Sequence, residues 1–152
     1  MEYNLEKESK KKIYKRSTAD NALEIIKNRI VLANKQDSFV YYVDKAVLFG
    51  SYVNSDKQVL GDIDIALYLS PKRADIDETT LNKMRADEVN FSGNIVQQFI
   101  YGKEEVCKFV KNRKAIISLH DGKAAEIESK RHDEKVCYIY LHEYEVIYER
   151  LK

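Results

Sequence analysis

Tryptophan is absent from this 152-residue chain, and its only two cysteines, Cys107 and Cys137, stand thirty positions apart. That spacing offers neither a CxxC zinc motif nor a disulfide framework. An excess of one charge is missing too: 26 basic residues against 25 acidic ones leave a net charge of +1. No global field would draw such a chain onto nucleic acid or an anionic membrane. No apolar run approaches the length of a membrane span. Met1 to Lys12 is charged and has no apolar stretch, so no signal peptide is expected there and the expected location is cytoplasmic. Glycine-rich phosphate loops of the forms G-x-x-x-x-G-K and G-x-G-x-x-G do not occur, nor does a G-x-S-x-G nucleophile elbow. There is no internal repeat and no low-complexity linker.

What is present has the makings of one globular domain: 44% hydrophobic and 34% charged residues, in a length that fits a single core. The chain is organised around Val47-Leu48-Phe49-Gly50-Ser51, then ten residues from Tyr52 to Gly61, then Asp62-Ile63-Asp64-Ile65-Ala66-Leu67. An apolar strand stops at Gly-Ser, and two carboxylates appear inside the next apolar run. Side chains alternate faces along a strand, so Asp62 and Asp64 point one way while Ile63 and Ile65 point into a core. Adjacent carboxylates repel each other, and a divalent cation between them removes the conflict. Magnesium suits this, since it uses one or two carboxylates together with substrate phosphates. Gly50 permits close backbone approach to a ligand. A helix starting at Ser51 or Tyr52 would turn its free amides toward a phosphate.

This pattern resembles the DNA polymerase β-like nucleotidyltransferase superfamily, over residues 44–70. The resemblance implies an α/β (α+β) fold, a small mixed sheet flanked by helices. It also implies that Gly50 and Ser51 bind a nucleoside triphosphate, and that Asp62 and Asp64 are catalytic and ligate two Mg2+ ions. Two-metal phosphoryl transfer would then move a nucleoside monophosphate, AMP from ATP by expectation, to an acceptor hydroxyl. Small members with this pattern include antitoxins that add AMP to a tyrosine of a HEPN-type partner toxin. The acceptor is accordingly expected on a partner protein or small molecule, not on nucleic acid or a membrane. Its delivery by a partner or a second copy allows a homo- or hetero-oligomer. The family's third carboxylate lies on a later strand, here expected over Ala115 to Leu119 with Ser118 and His120 on the active side. Asp121 is the third metal ligand if that strand ends or bulges before it; otherwise the third ligand is absent. Absence supports a second reading, a non-catalytic nucleotidyltransferase-like binding or regulatory module. The family's basic residue after Gly-Ser is also missing, Lys57 being the nearest cation.

The rest of the chain reads as scaffold. Residues 1–16 are expected to be a basic, flexible arm and residues 17–152 a single nucleotidyltransferase-like domain. Ser17 and Thr18 suit the cap of a helix from Thr18 to Lys35. Phe39 to Val43 suits a strand or the end of that helix. A strand over Asp62 to Leu69 is expected to close at Ser70-Pro71. Asp75-Ile76-Asp77 repeats the Asp-x-Asp pattern but fits helix capping, before a helix with Leu81 and Met84 inward. Gly102 punctuates, and a helix follows from Glu104 to Arg113. Val136 to Leu141 suggests a strand, and Tyr144, Ile147, Tyr148 and Leu151 recur at helical spacing. The tyrosines Tyr138, Tyr140, Tyr144 and Tyr148 suit a core edge or dimer surface better than a base-stacking platform.

Overall fold

A short strand, β1 (Tyr14–Lys15), leads straight into helix α1 (Arg16–Lys35), the first elements of a computed structural model that describes residues 13–151. Ala19, Ala22, Leu23, Ile26, Ile30 and Ala33 recur every three or four residues and bury one stripe of α1. Strand β2 (Tyr41–Phe49) ends at a single helical turn, α2 (Ser51–Asn54). Then come β3 (Val59–Leu60), β4 (Ile63–Pro71), α3 (Glu78–Glu88), α4 (Ile95–Phe99) and α5 (Tyr101–Lys111). Strand β5 (Ile117–Asp121), α6 (Gly122–Arg131), a 3-10 turn at Tyr138–Tyr140 and β6 (Glu145–Glu149) complete the chain. No described helix is long and apolar enough to cross a membrane.

The main sheet has the order β5-β4-β2-β6 and is mixed, since β5 runs parallel to β4 and the other pairs are antiparallel. Strand alternation gives it two buried faces. Ile63, Ile65, Leu67 and Leu69 of β4 join α1 and α5, while Ala66 and Tyr68 pack with Val47, Phe49, Ala125 and Ile139 on the other side. A register shift between Val43 and Lys45 inserts Asp44 as an extra residue. Parity changes there, so Tyr41 and Val43 before the bulge share the α1 face with Ala46 and Leu48 after it. This sets which side Phe49 takes at the strand's end.

Several expectations are corrected. Ser17 and Thr18 lie inside α1, whose cap position is Lys15 with no side-chain cap bond. The start is fixed instead by pairing: β1 joins β3, and the Arg16 amide donates to the Gln58 carbonyl at 2.8 Å. The end of the expected arm, Tyr14–Arg16, is therefore part of the fold, and residues 1–12 lie outside the described residues. Phe39 is buried just ahead of β2, and Tyr41 to Val43 belong to that strand. β4 continues through Ser70 and Pro71, paired with Tyr42 and Tyr41. Asp77 caps α3 by accepting from the Thr80 amide at 3.0 Å, whereas Asp75 pairs with Arg73. Met84 is exposed, and Asn82 and Arg85 turn inward with Leu81, Arg85 donating at 2.8 Å to Glu105 of α5. Gly102 sits within α5, where a side chain would strike Val40 and Asn82, so glycine here permits close packing and does not break the helix.

The C-terminal expectations reverse. Within the Val136–Leu141 stretch Tyr138–Tyr140 is a 3-10 turn and no strand forms, and the segment expected as a closing helix forms β6. Val146, Ile147 and Tyr148 are β-branched or aromatic, and β2 offers an unpaired edge that they satisfy from Lys45↔Glu149 to Leu48↔Glu145. Ladder hydrogen bonds on that edge outweigh the helical spacing of Tyr144 and Leu151.

Candidate active site

The antiparallel register of β2 and β4 sets Phe49 directly opposite Asp64. The chain turns at Gly50, whose φ of 83° and ψ of −159° lie in a region that residues with a β-carbon avoid. The turn into α2 is closed by the amides of Val53 and Asn54, which donate to the Gly50 carbonyl at 3.2 and 3.1 Å. The Asn54 amide group donates to the carbonyls of Gly50 and Glu143 at 2.9 and 3.0 Å, and its oxygen accepts from the Glu143 amide at 3.0 Å. One side chain thereby ties the Gly-Ser turn to the segment before β6. The loop that follows is gripped from α1: the Arg16 guanidinium donates to the carbonyls of Tyr52, Ser55 and Lys57 and lies over the Tyr52 ring. The Tyr52 hydroxyl in turn donates to Asp20, and burial with that carboxylate beside it pushes the phenol up to about 12.

Asp64 stands in the middle of this arrangement. Its Oδ2 lies against Gly50, where a β-carbon would come within 2.6 Å. Its Oδ1 lies 2.9 Å from Nε2 of His120. The parallel register sets Ser118 beside Asp64 and His120 beside Ala66, so both β5 side chains share the Asp64 face, as strand parity anticipated. The Ser118 hydroxyl is 3.3 Å from the same His120 nitrogen. Phe49 meets the His120 ring edge to face at 5.0 Å, and the Tyr138 hydroxyl lies 3.5 Å from Nδ1. Burial, reinforced by Cys137 and the Asp64 charge, raises the Tyr138 phenol above its ordinary value. Ser51, the first residue of α2, and Asp62, the residue just ahead of β4, are both exposed.

A sequence profile described as "Polymerase beta, Nucleotidyltransferase" matches residues 36–122, from just before β2 to the end of β5 and the first residue of α6. The chain belongs to the polymerase β-like nucleotidyltransferase superfamily. Neither a curated protein nor a solved structure gives a significant match. The matched span contains Gly50, Ser51, Asp62 and Asp64, and its sheet is the nucleotidyltransferase core that the pattern implied.

Within that nucleotidyltransferase core, Asp121 does not join Asp64. The register sets it opposite Leu67, on the other face of β4. Its Oδ1 accepts from the Ala124 amide at 3.0 Å as the cap of α6, and its Oδ2 pairs with Lys103 at 3.0 Å. Burial pushes the Asp121 carboxyl upward, but the Ala124 amide and Lys103 outweigh it and hold it below the ordinary range. A cavity of about 410 Å³ lies on that side, floored by Leu67, Leu69 and Leu119 and walled by Lys103, Lys108 and Lys111; Asp121 lines it and Asp64 does not. Lys57 is exposed in the loop, where its carbonyl accepts from Arg16 and its amide donates to the Ser55 hydroxyl at 3.1 Å.

Magnesium-class cations take one or two carboxylates together with phosphate oxygens, the donor type that Asp64 offers. Among the described residues no three His, Cys, Asp or Glu side chains are already gathered to hold one. Sequence reasoning missed Arg16, Asn54 and Tyr138. The first two act through backbone carbonyls, which leave no motif. Tyr138 is half exposed at the site because a 3-10 turn, not a strand, presents it.

Proposed function

We propose that this chain transfers a nucleoside monophosphate, AMP from ATP, to an acceptor hydroxyl. The observation that carries the reading is the seating of the Asp64 carboxylate against the Gly50 turn inside a polymerase β-like core. Gly50 and Ser51 receive the triphosphate, and the absence of a side chain at Gly50 leaves the backbone accessible. Asp62 and Asp64 hold magnesium-class cations, which would neutralise the triphosphate and activate the acceptor hydroxyl. The β4 strand, paired on both sides, keeps Asp64 fixed. The acceptor hydroxyl belongs to a partner protein, a second copy of the chain or a small molecule. An antitoxin acting in the cytoplasm on a tyrosine of a HEPN-type toxin is the form of this reaction that we favour.

Label transfer tests the proposal. With a candidate acceptor, magnesium and ATP labelled at the α-phosphate, label should become attached to the acceptor; label at the γ-phosphate should not. Asp62→Asn and Asp64→Asn should each abolish the transfer. Transfer that survives both substitutions contradicts the assignment.

A second reading has its own support, because Asp121 is turned away and no carboxylate on β5 shares the Asp64 face. In that case the domain is a binding or regulatory module. Partner binding that is unchanged in both Asp variants, with no nucleotide bound by the wild type, would favour it.

A further inference from the structure

The geometry points to a docking groove for an acidic, extended segment of a partner protein, between α5 and the open edge of β5. The segment adds to the sheet as a further strand, and its carboxylates meet the lysines of α5. This inference needs neither nucleotide nor cation and does not depend on the chemistry proposed for Asp62 and Asp64.

The edge is available. Strand β5 ends the sheet order and pairs with β4 alone among the described residues. Along a parallel ladder, successive residues turn their main-chain groups to opposite sides. The Ile63 amide donates to the Ile116 carbonyl at 2.8 Å, and the Ile117 amide turns away to the Lys114 carbonyl at 3.0 Å. Continued along the observed register, Ser118 and His120 bond to β4, and Leu119 turns its amide and carbonyl outward. An open edge of this kind is a template for another strand.

The cavity of about 410 Å³ runs along that edge. Leu119, His120 and Asp121 all line it, although successive side chains alternate between the two faces of the sheet. It therefore borders the outer edge of β5 as well as the face under α5. Leu67, Leu69 and Leu119 give it an apolar floor, and α5 forms the wall. Helix and strand lie side by side in opposite directions. Lys103, near the start of α5, pairs with Asp121 at the end of β5 at 3.0 Å. At the other end a tight turn joins them, with Asn112 and Arg113 at φ of 50° and 56°.

Charge selects the occupant. The segment Lys108-Phe109-Val110-Lys111-Asn112-Arg113-Lys114 carries four cations and no carboxylate, in a chain of net charge +1. No ion pair among the described residues uses any of the four. Lys108 and Lys111 suit the C-terminal end of a helix dipole, but Arg113 and Lys114 lie beyond the helix, so the dipole does not account for the cluster. Of the two acids in the lining, Asp121 is held by Lys103, which leaves Glu104 against Lys108 and Lys111. Among the described residues no Phe, Tyr or Trp lines the cavity, so it lacks the stacking surface that single-stranded nucleic acid uses. Lys103 and Lys111 stand about 12 Å apart along the helix axis. Carboxylates at positions i and i+4 of an extended segment stand about 13 Å apart on one face. The pattern that fits is acid, any, apolar, any, acid, with the apolar residue on the leucine floor.

Nuclear magnetic resonance titration of the full chain with the end-blocked peptide Glu-Thr-Val-Thr-Glu, without nucleotide, tests this. The peptide should bind with a dissociation constant of about 1 mM or tighter and shift the amides of Leu119, Lys108 and Lys111 most. Its counterpart with lysine for glutamate should not bind. Lys108→Glu combined with Lys111→Glu should weaken binding about tenfold, as turning two exposed attractions into repulsions allows. Both lysines are at least partly exposed, and Lys108→Gln with Lys111→Gln takes the place of the reversal if that variant fails to fold. The fully N-methylated peptide keeps its carboxylates but donates no main-chain bond, and it should lose binding. Absence of binding to the folded wild type, binding undiminished in the lysine variant, or equal binding of the methylated peptide overturns the inference. So does tighter binding of a single-stranded oligonucleotide in the same groove, or self-association of the chain that the lysine variant abolishes, since these assign the groove to nucleic acid or to a second copy.

Discussion

Gly50 lies so close to Asp64 that a β-carbon on it would stand 2.6 Å from the carboxylate oxygen Oδ2. The two requirements at this position are independent. A φ of 83° with ψ of −159° is nearly confined to glycine, and the space beyond Cα is taken by a carboxylate. Gly50→Ala should destabilise the fold by about 1–3 kcal/mol, read as a lower urea midpoint at unchanged slope. It should weaken triphosphate binding further than that loss explains, since relieving the clash displaces Asp64. An alanine variant as stable as the wild type, with binding intact, would mean that the turn is not built as described.

Arg16 fixes the loop between the Gly-Ser turn and Asp62 by donating to three of its carbonyls. Hydrogen bonds from a charged donor are worth about 1.5–3 kcal/mol, and partial exposure reduces that here. Arg16→Ala should cost about 1–2 kcal/mol and speed hydrogen exchange at the amides of residues 52–58 in particular. Arg16→Lys should rescue little, because a single ammonium cannot reproduce the planar fork of donors. Exchange that rises equally across the whole domain would argue against a local clamp.

The centre of this site was legible because its information is local. Gly50-Ser51 and the two carboxylates lie within a span of fifteen residues, and strand parity alone brought Ser118 and His120 to the Asp64 face. Parity also gave the reason to doubt Asp121. What could not be read depends on distant partners. β6 adopts strand geometry only because the β2 edge is open to it, and its own apolar spacing points to a helix. The Asn54–Glu143 exchange spans 89 positions and involves main-chain groups on one side, so neither residue type announces it. The bulge at Asp44 likewise appears only through its consequence, a change in which of β2's residues face α1.

Asp121 supplies a pH test of its structural role. Its carboxyl is held below the ordinary value, so the folded state binds the proton less readily than the unfolded chain. The sign follows: the contribution is complete above the ordinary carboxylate range near pH 4 and is lost as pH falls through the lower folded value. Asp121→Asn keeps a good helix cap but removes the pairing with Lys103. At pH 7 the variant should be less stable by about 1 kcal/mol or less, as expected of an exposed pair. The gap should close on acidification, as thermal midpoints from pH 7 to pH 2.5 would reveal. A gap that widens in acid contradicts the assignment.

The most direct measurement is calorimetric titration of ATP into the wild-type chain and Asp64→Asn, with and without divalent cation. His120 meets Asp64, but among the described residues no three metal-binding side chains are gathered, so the cation should bind well only in company with the triphosphate. The result predicted is binding that requires both the cation and Asp64. Binding of equal strength in Asp64→Asn, or no binding by the folded wild type under any combination, would contradict the account.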